Sequence, residues 1–359
     1  MTLDALLAAA PGALTPAEKD AALLALMVER TDWHRQRCPA YARLLDLLHP
    51  QAASPPRSLA DLPWLPVGLF KSHELASVPP AERFKVLTSS GTTGQAPSRI
   101  VLDRTTAALQ ARGLAACMRP LLGPRRLPLL IVDVADLLQG PAAASARGAG
   151  VLGMMTLGRD PLFALDPEHR LRTDAVAAWL DQHGQQPFLV FGFTFMVWRY
   201  LALAAPPGAL DLSQAILVHS GGWKKLQDQA VDRTTFRAGL ADRLGIRRVH
   251  DFYGMVEQVG SVFLEGEDGL LHPPLFGEVL VRDPRSFEVL PDGEEGLLQV
   301  LSPLPLSYPG HSLLTADLGS LDPHTRGLRV HGRVPRAELR GCSDTHASAP
   351  GIPAGGAAP

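Results

Sequence analysis

The densest group of chemically useful side chains in this sequence is Thr88-Ser89-Ser90-Gly91-Thr92-Thr93-Gly94. Gly91 and Gly94 permit backbone conformations that leave amides unhindered, and the hydroxyls of Ser89, Ser90, Thr92 and Thr93 add donors. Such a loop is suited to wrapping triphosphate oxygens. It does not end in Gly-Lys-Ser/Thr, so it is not a Walker loop, and a plain Ser/Thr/Gly surface turn is the competing reading. Other residues able to do chemistry lie far downstream, in Ser220-Gly221-Gly222-Trp223, Asp251-Phe252-Tyr253-Gly254-Met255-Val256-Glu257, Thr315-Ala316-Asp317 and Gly332-Arg333. One further glycine-rich stretch, Gly148-Ala149-Gly150-Val151-Leu152-Gly153, matches the dinucleotide fingerprint. An Ala/Ser/Pro run precedes it where a strand would be needed, so it reads as a flexible or packing loop.

In this order the motifs resemble those of the adenylate-forming superfamily, which includes acyl-CoA synthetases, firefly-type luciferases and peptide-synthetase adenylation domains. The resemblance implies ATP and Mg²⁺, with the hydroxyl-rich loop on the phosphates and Gly221-Gly222 along the adenine face. Tyr253 would stack on adenine, Gly254 would let the backbone come close, and Glu257 would hold the Mg²⁺ that bridges phosphates. Asp317 would accept hydrogen bonds from the ribose hydroxyls, and Arg333, near the family's hinge, would pair with phosphate or ribose. Tyr253 as a core aromatic and Glu257 as a solvated carboxylate are the alternatives. Two positions depart from the superfamily pattern: Ser98 or Arg99 stands where lysine is common, and Ala316 replaces the glycine before Asp317. Lys71, Lys224 and Lys225 are candidate cations for the charge that develops on adenylation.

Superfamily ligases continue past the Gly-Arg hinge into a mobile domain with a catalytic lysine, whereas here only a short arm with Cys342 follows Arg333. In this the chain resembles the acyl-protein synthetases of the bacterial bioluminescence fatty acid reductase system. The stretches 37–41, 65–71 and 307–311 resemble that family as well. The resemblance implies activation of a carboxylic acid, fatty or otherwise apolar, followed by acyl transfer to Cys342 and on to an acyl-CoA reductase-type or acyl-carrier partner. A thiolate is a good nucleophile toward a mixed anhydride, although Cys342 also reads as a small residue in a loose terminus. Transfer to coenzyme A or a carrier thiol is a second expectation, and a nucleotide-binding scaffold without turnover a third. Phe191, Gly192, Phe193, Phe195 and Trp223 are candidate walls of an acyl pocket, with core packing as the other explanation.

The elements that must position these residues follow from apolar spacing. Residues 16–49 carry a helical pattern broken at Pro39, and 51–66 reads as a loop. Short apolar runs at 84–88, 129–134, 188–191, 215–219 and 249–253 alternate with helical patterns at 105–119, 172–183 and 226–244, which predicts buried, mostly parallel strands. After about residue 260 the strand runs 278–282, 296–301 and 328–330 are punctuated by Gly and Pro, which predicts a β-rich subdomain. The expected organisation is therefore N-terminal helices and linker (1–66), an α/β adenylation core (67–260), a β-rich subdomain (261–335) and a short arm (336–359) in place of a C-terminal lobe.

Composition limits the function classes. With 359 residues, 46% of them hydrophobic, and a formal net charge of −2, the chain suits a packed globular enzyme and gives no electrostatic footprint for nucleic acid. The apolar stretch 188–205 contains Arg199 and Gly192, so it reads as a strand running into a helix and not as a membrane span. Three cysteines in no disulfide or zinc spacing, with no positively charged leader, predict a cytoplasmic protein in which Cys38 and Cys117 are buried and inert.

Overall fold

The computed structural model describes residues 1–50, 55–89, 96–223 and 230–334. The chain opens with helices α1 (Leu3–Ala8), α2 (Pro16–Arg37) and α3 (Pro39–Leu48). Thr15 and Glu18 close a capping box at the start of α2, with Glu18 N donating to Thr15 Oγ1 and Thr15 N to Glu18 Oε2. Pro39 holds Cys38 in extended backbone and takes the first position of α3, which is why the helical pattern breaks there. The segment expected to be a loop contains, in its described part, a short strand β1 (Leu65–Pro66) that joins the main sheet.

Next come α4 (Leu69–Ser72), the strands β2 (Lys85–Thr88) and β3 (Arg99–Leu102), α5 (Arg104–Leu122), β4 (Leu127–Val134), α6 (Ala146–Met155), β5 (Gly158–Leu165) and α7 (Thr173–His183). They are followed by β6 (Phe188–Phe193), α8 (Thr194–Met196) with a wider helical turn at Val197–Ala202, β7 (Ala215–Ser220), α9 (Arg233–Leu244) and β8 (Arg248–Tyr253). The last third adds β9 (Phe263–Glu265), β10 (Leu271–His272), β11 (Glu278–Arg282), β12 (Gly296–Leu301), β13 (Ser312–Leu321) and β14 (Leu328–Arg333). One sheet takes the order β11-β12-β13-β14-β10-β9-β8-β7-β6-β4-β5, with β1 beside β13. Strands β5, β4, β6, β7 and β8 pair in parallel; from β8 to β11 every pairing along this order is antiparallel. The predicted change from parallel to antiparallel texture is thus a change of direction inside one continuous sheet.

Burial on both faces explains the unbroken apolar runs of the parallel half. Leu129, Ile131, Leu189, Phe191 and Val218 face one layer, packed with Leu23 and Met27 of α2, Leu114 and Met118 of α5 and Val151 and Met154 of α6. Their neighbours Leu130, Val132, Phe188, Val190 and Leu217 face the other, with Val176 and Trp179 of α7, Leu201, and Phe236 and Leu240 of α9. The stretch 188–205 is a buried strand that runs into helical turns, and among the described residues no helix is long and apolar enough to cross a membrane. Cys38 and Cys117 are both buried and unpaired.

Two expectations are corrected. The glycine-rich stretch 148–153 lies within helix α6, capped by Ser145, whose hydroxyl accepts from Gly148 N at 3.1 Å. Its glycines serve close packing, since a Cβ on Gly148 would come within 2.5 Å of the Ala142 carbonyl oxygen and one on Gly153 within 2.8 Å of Leu114. The hydroxyl-rich loop, expected between a strand and the helix near residue 105, instead connects β2 to β3 in a two-stranded antiparallel hairpin, and α5 starts only after β3. The helix expected over 226–244 is described from Arg233, where Asp232 caps it by accepting from Thr235 N at 2.8 Å.

A buried polar cluster ties α2 and α3 to the segment before β13. The His34 Nε2–H donates to the Pro305 carbonyl at 3.2 Å, leaving Nδ1 to accept from the Ser77 hydroxyl at 2.7 Å. His311 stacks on His34 with 4.9 Å between ring centroids and lies 3.0 Å from Thr31 Oγ1. Burial pushes the His34 pKa down to about 3 and holds His311 well below the ordinary histidine range. The folded protein therefore declines protons that the unfolded chain accepts below about pH 6.5. This contribution to stability is intact above that pH and is lost as pH falls toward about 3. Urea unfolding of the wild type should lose about 1 kcal/mol or more between pH 7 and 5, and the loss should shrink in His311→Gln; equal losses in the two proteins would contradict this assignment.

Candidate functional site

The parallel strands end where the sheet changes direction, and ligand crevices in α/β sheets form beyond the carboxyl ends of such strands. Strand β7 ends in Ser220, whose hydroxyl donates to the Phe252 carbonyl of β8 at 2.8 Å. Gly221 follows with φ +83°, backbone that a side chain rarely adopts, and a Cβ there would sit 3.4 Å from Phe193. Gly222 has open space where its side chain would be. Alternation along β8 puts Asp251 and Tyr253 on one face.

Tyr253 donates its phenolic hydrogen to Asp317 Oδ2 at 2.7 Å, and Arg333 donates from Nε to Asp317 Oδ1 at 2.8 Å. Asp317 and Arg333 stand directly opposite each other on β13 and β14, so this is a cross-strand ion pair set by register. The carboxylate side chain is 12% exposed and the guanidinium 75%, so the pair has a buried anion and a cation open to the surface. Burial and the neighbouring Asp317 charge hold the Tyr253 hydroxyl well above its usual pKa, and Asp317 raises that of Arg333.

Glu257 lies on the short turn Val256–Gln258 and is 6% exposed. Burial raises its pKa, opposed by the nearby Ser98 hydroxyl, its own backbone amide and the positive charges of Arg333 and Lys71. Ser98 Oγ is itself buried and lacks a well-formed hydrogen bond. Ser98 stands at the base of the β2–β3 connection, where Ser89 N donates to Ser98 O at 3.2 Å and Ser98 N to Ser89 Oγ at 2.8 Å. Arg99 is exposed, so of the two residues at the usual lysine position it is the serine that meets Glu257.

Ser89, Glu257, Asp317, Arg333 and Tyr253 are thus brought to one region, with Gly221 and Gly222 at the end of the adjoining strand. Ser90, Gly91, Thr92, Thr93 and Gly94 lie outside the described residues, as do Lys224, Lys225 and Cys342. Lys71, the remaining candidate cation, is near enough to Glu257 to act on its charge.

A cavity of about 370 Å³ opens beside Gly221, lined among others by Trp223, Thr194, His219, Asp251 and Val330. Sequence reading quoted Asp251 but assigned it nothing; its place two residues before Tyr253 on a strand was the available signal. Its Oδ1 is buried without a hydrogen bond and lies 3.7 Å from His219 Nδ1. The side chain keeps 46% of its surface open toward this half-open cavity, while its buried oxygen is desolvated, which pushes the pKa up to about 7. Of the five expected acyl-pocket residues, Trp223 lines this cavity. Phe191 belongs to the core, and Gly192 is wedged against Val132 and Val197.

The acyl-protein synthetase (LuxE) family matches residues 2–349. The long-chain-fatty-acid–luciferin-component ligase of Vibrio harveyi is 27% identical over 135 residues, 35% of each chain. Its counterpart in Aliivibrio fischeri is 30% identical over 106 residues, 29% of this chain and 28% of that one. The matched stretches therefore span about a third of these relatives. Among solved structures, an open conformation of a 2-hydroxyisobutyryl-CoA ligase with 2-HIB-AMP and CoA superposes with a TM-score of 0.66 at 20% identity, covering 89% of this chain and 76% of that one. The same ligase in the postadenylation state gives 0.67 at 19% identity, covering 89% and 69%. These likenesses establish the adenylate-forming fold.

The raised Asp251 pKa has a definite sign. Between about pH 4 and 7 the folded protein keeps a proton that the unfolded chain has released, so the contribution of Asp251 to stability falls as pH rises through that window. Asp251→Asn should gain stability relative to the wild type across the same window, and carboxyl carbon NMR should show a titration midpoint near 7. A midpoint in the ordinary carboxylate range would refute the desolvated setting.

Proposed function

Because the chain belongs to the acyl-protein synthetase family, we propose that it activates a carboxylic acid with ATP, releasing pyrophosphate and forming an acyl-adenylate that a thiol then consumes. The observation that carries this reading is that Arg333, ion-paired to Asp317, also lies near enough to Glu257 for the two charges to act on each other. Asp317 has lone pairs left after binding Tyr253 and Arg333, and these would accept the ribose hydroxyls. Tyr253, anchored through its hydroxyl, would offer its ring to the base beside Gly221 and Gly222. Asp251, with an unused acceptor oxygen in the adjoining cavity, suits an exocyclic amino group.

The loop from Ser89 through Ser90, Gly91, Thr92, Thr93 and Gly94 would hold the β- and γ-phosphates. Glu257 offers one buried carboxylate there. That suits Mg²⁺, which is commonly held by one or two carboxylates together with substrate phosphates, and when bound there it would neutralise charge on the departing pyrophosphate. The substrate carboxylate attacks the α-phosphorus, the bond to pyrophosphate breaks, and Arg333 with Lys71 offsets the charge that moves onto the leaving group.

For the second step, sulfur attacks the acyl carbonyl and AMP leaves. An external thiol of the coenzyme A or carrier type is supported by the likeness to CoA ligases. Family membership supports prior transfer to Cys342 and delivery to a reductase-type or carrier partner. A scaffold without turnover remains the reading that binding of Mg-ATP without pyrophosphate release would favour. The long-chain fatty acid in the names of the two relatives favours an apolar acid. Cytoplasmic residence fits the two unpaired buried cysteines.

Pyrophosphate exchange with Mg-ATP across acids of graded chain length should identify the substrate class, and exchange with no acid would overturn the reading. Cys342→Ala should keep exchange; if it also keeps thioester formation with coenzyme A, the external thiol is the acceptor, whereas loss of all transfer assigns that role to Cys342. Asp317→Ala should raise KM for ATP by about ten-fold or more, as expected for a lost charged hydrogen-bonding partner.

A further inference from the structure

The turn Ser307-Tyr308-Pro309-Gly310-His311 stood out in the sequence, yet none of its side chains has a place in the chemistry above. It is fully buried and held from three sides. From α2, Arg30 donates to the Pro303 carbonyl at 3.0 Å and Trp33 to the Leu306 carbonyl at 3.0 Å. From the hairpin and α5, Ser307 Oγ donates to Val101 O at 2.9 Å, and Thr106 Oγ1 accepts from Ser307 N at 3.0 Å. Ser77 N adds a bond to the Ser307 carbonyl at 2.8 Å.

Held in this way, the segment grips the turn that carries Glu257. The Tyr308 hydroxyl donates to the Glu257 carbonyl at 2.9 Å and accepts from Gln110 Nε2 at 3.2 Å. On the other side, Gln258 Nε2 reaches the carbonyls of Val300, Gly310 and His311 at 3.1, 2.8 and 3.3 Å. The approach is close enough that a Cβ on Gly310 would sit 2.7 Å from the Glu257 carbonyl oxygen. Burial and the Glu257 charge keep the Tyr308 proton on its oxygen, so the hydroxyl remains a donor.

We propose that Tyr308 is a positioning residue for Glu257: its hydroxyl fixes the backbone of the residue whose carboxylate would meet the nucleotide-bound cation. This rests on the assignment of Glu257 as the metal-binding carboxylate. A group behind a metal ligand acts by limiting where that ligand points, and losing such a partner typically weakens metal affinity about 10- to 100-fold. Gln110 provides the contrast. It donates to the same hydroxyl, and among the described residues no hydrogen bond joins it to Glu257, so its loss should cost stability without moving the carboxylate.

The test uses the whole chain, Mn²⁺ as a spectroscopic probe and a non-hydrolysable ATP analogue. Mn²⁺ affinity is read by electron paramagnetic resonance, and thermal stability is measured in parallel. Tyr308→Phe should weaken Mn²⁺ binding about ten-fold, whereas Gln110→Met should lower thermal stability with Mn²⁺ affinity unchanged. Equal shifts in both variants, or no shift in Tyr308→Phe, would overturn the proposal. Should Tyr308→Phe fail to fold, Gln258→Met loosens the same turn from its other side and must show the Mn²⁺ shift; normal affinity there overturns it equally. If Glu257→Gln leaves Mn²⁺ affinity intact, it is the assignment of Glu257 that fails.

Discussion

Two acidic side chains, Glu257 and Asp317, are held almost out of water near the guanidinium of Arg333, and the rest of the site is organised around their burial. A buried carboxylate is costly unless it is paired and hydrogen-bonded. Asp317 is well supplied, with Arg333 on one oxygen and Tyr253 on the other. Glu257 is held less directly: Ser98 approaches without a well-formed bond, the charges of Arg333 and Lys71 act on it, and burial still raises its pKa.

The sheet makes this arrangement possible by changing direction. Its parallel half delivers Gly221 and Tyr253 at adjacent strand ends, as parallel strands do. Its antiparallel half returns β13 and β14 alongside, with Asp317 and Arg333 in register. Neither half contains a complete set of partners. The β2–β3 hairpin stands apart from the main sheet and brings Ser89 and Ser98 to Glu257.

The N-terminal helices, read from their pattern only as two helices meeting at Pro39, have a particular task. Through Arg30, Trp33 and His34 they hold residues 303–311, and that segment in turn holds the Glu257 turn. Buried polar networks of this kind specify one arrangement because each unmet partner is expensive.

Much was legible before any coordinates. A nucleotide role for Tyr253, Glu257, Asp317 and Arg333 was an expectation drawn from the family resemblance, whereas Pro39 had to break a helix and the apolar runs at 129–134, 188–191 and 215–219 had to be strands buried on both faces. The break and the strands follow from local geometry and from chemistry that each residue carries with it. The sequence misled at Gly148–Gly153, because spacing of glycines does not say whether they ease a turn or a helix contact. It was silent on Asp251, on the choice of Ser98 over Arg99, and on the bond from Tyr308 to Glu257. Those depend on which groups, 51 residues apart in the case of Tyr308 and Glu257, share a desolvated space. Burial and partnership are properties of the assembled fold, so only the tertiary structure could decide them.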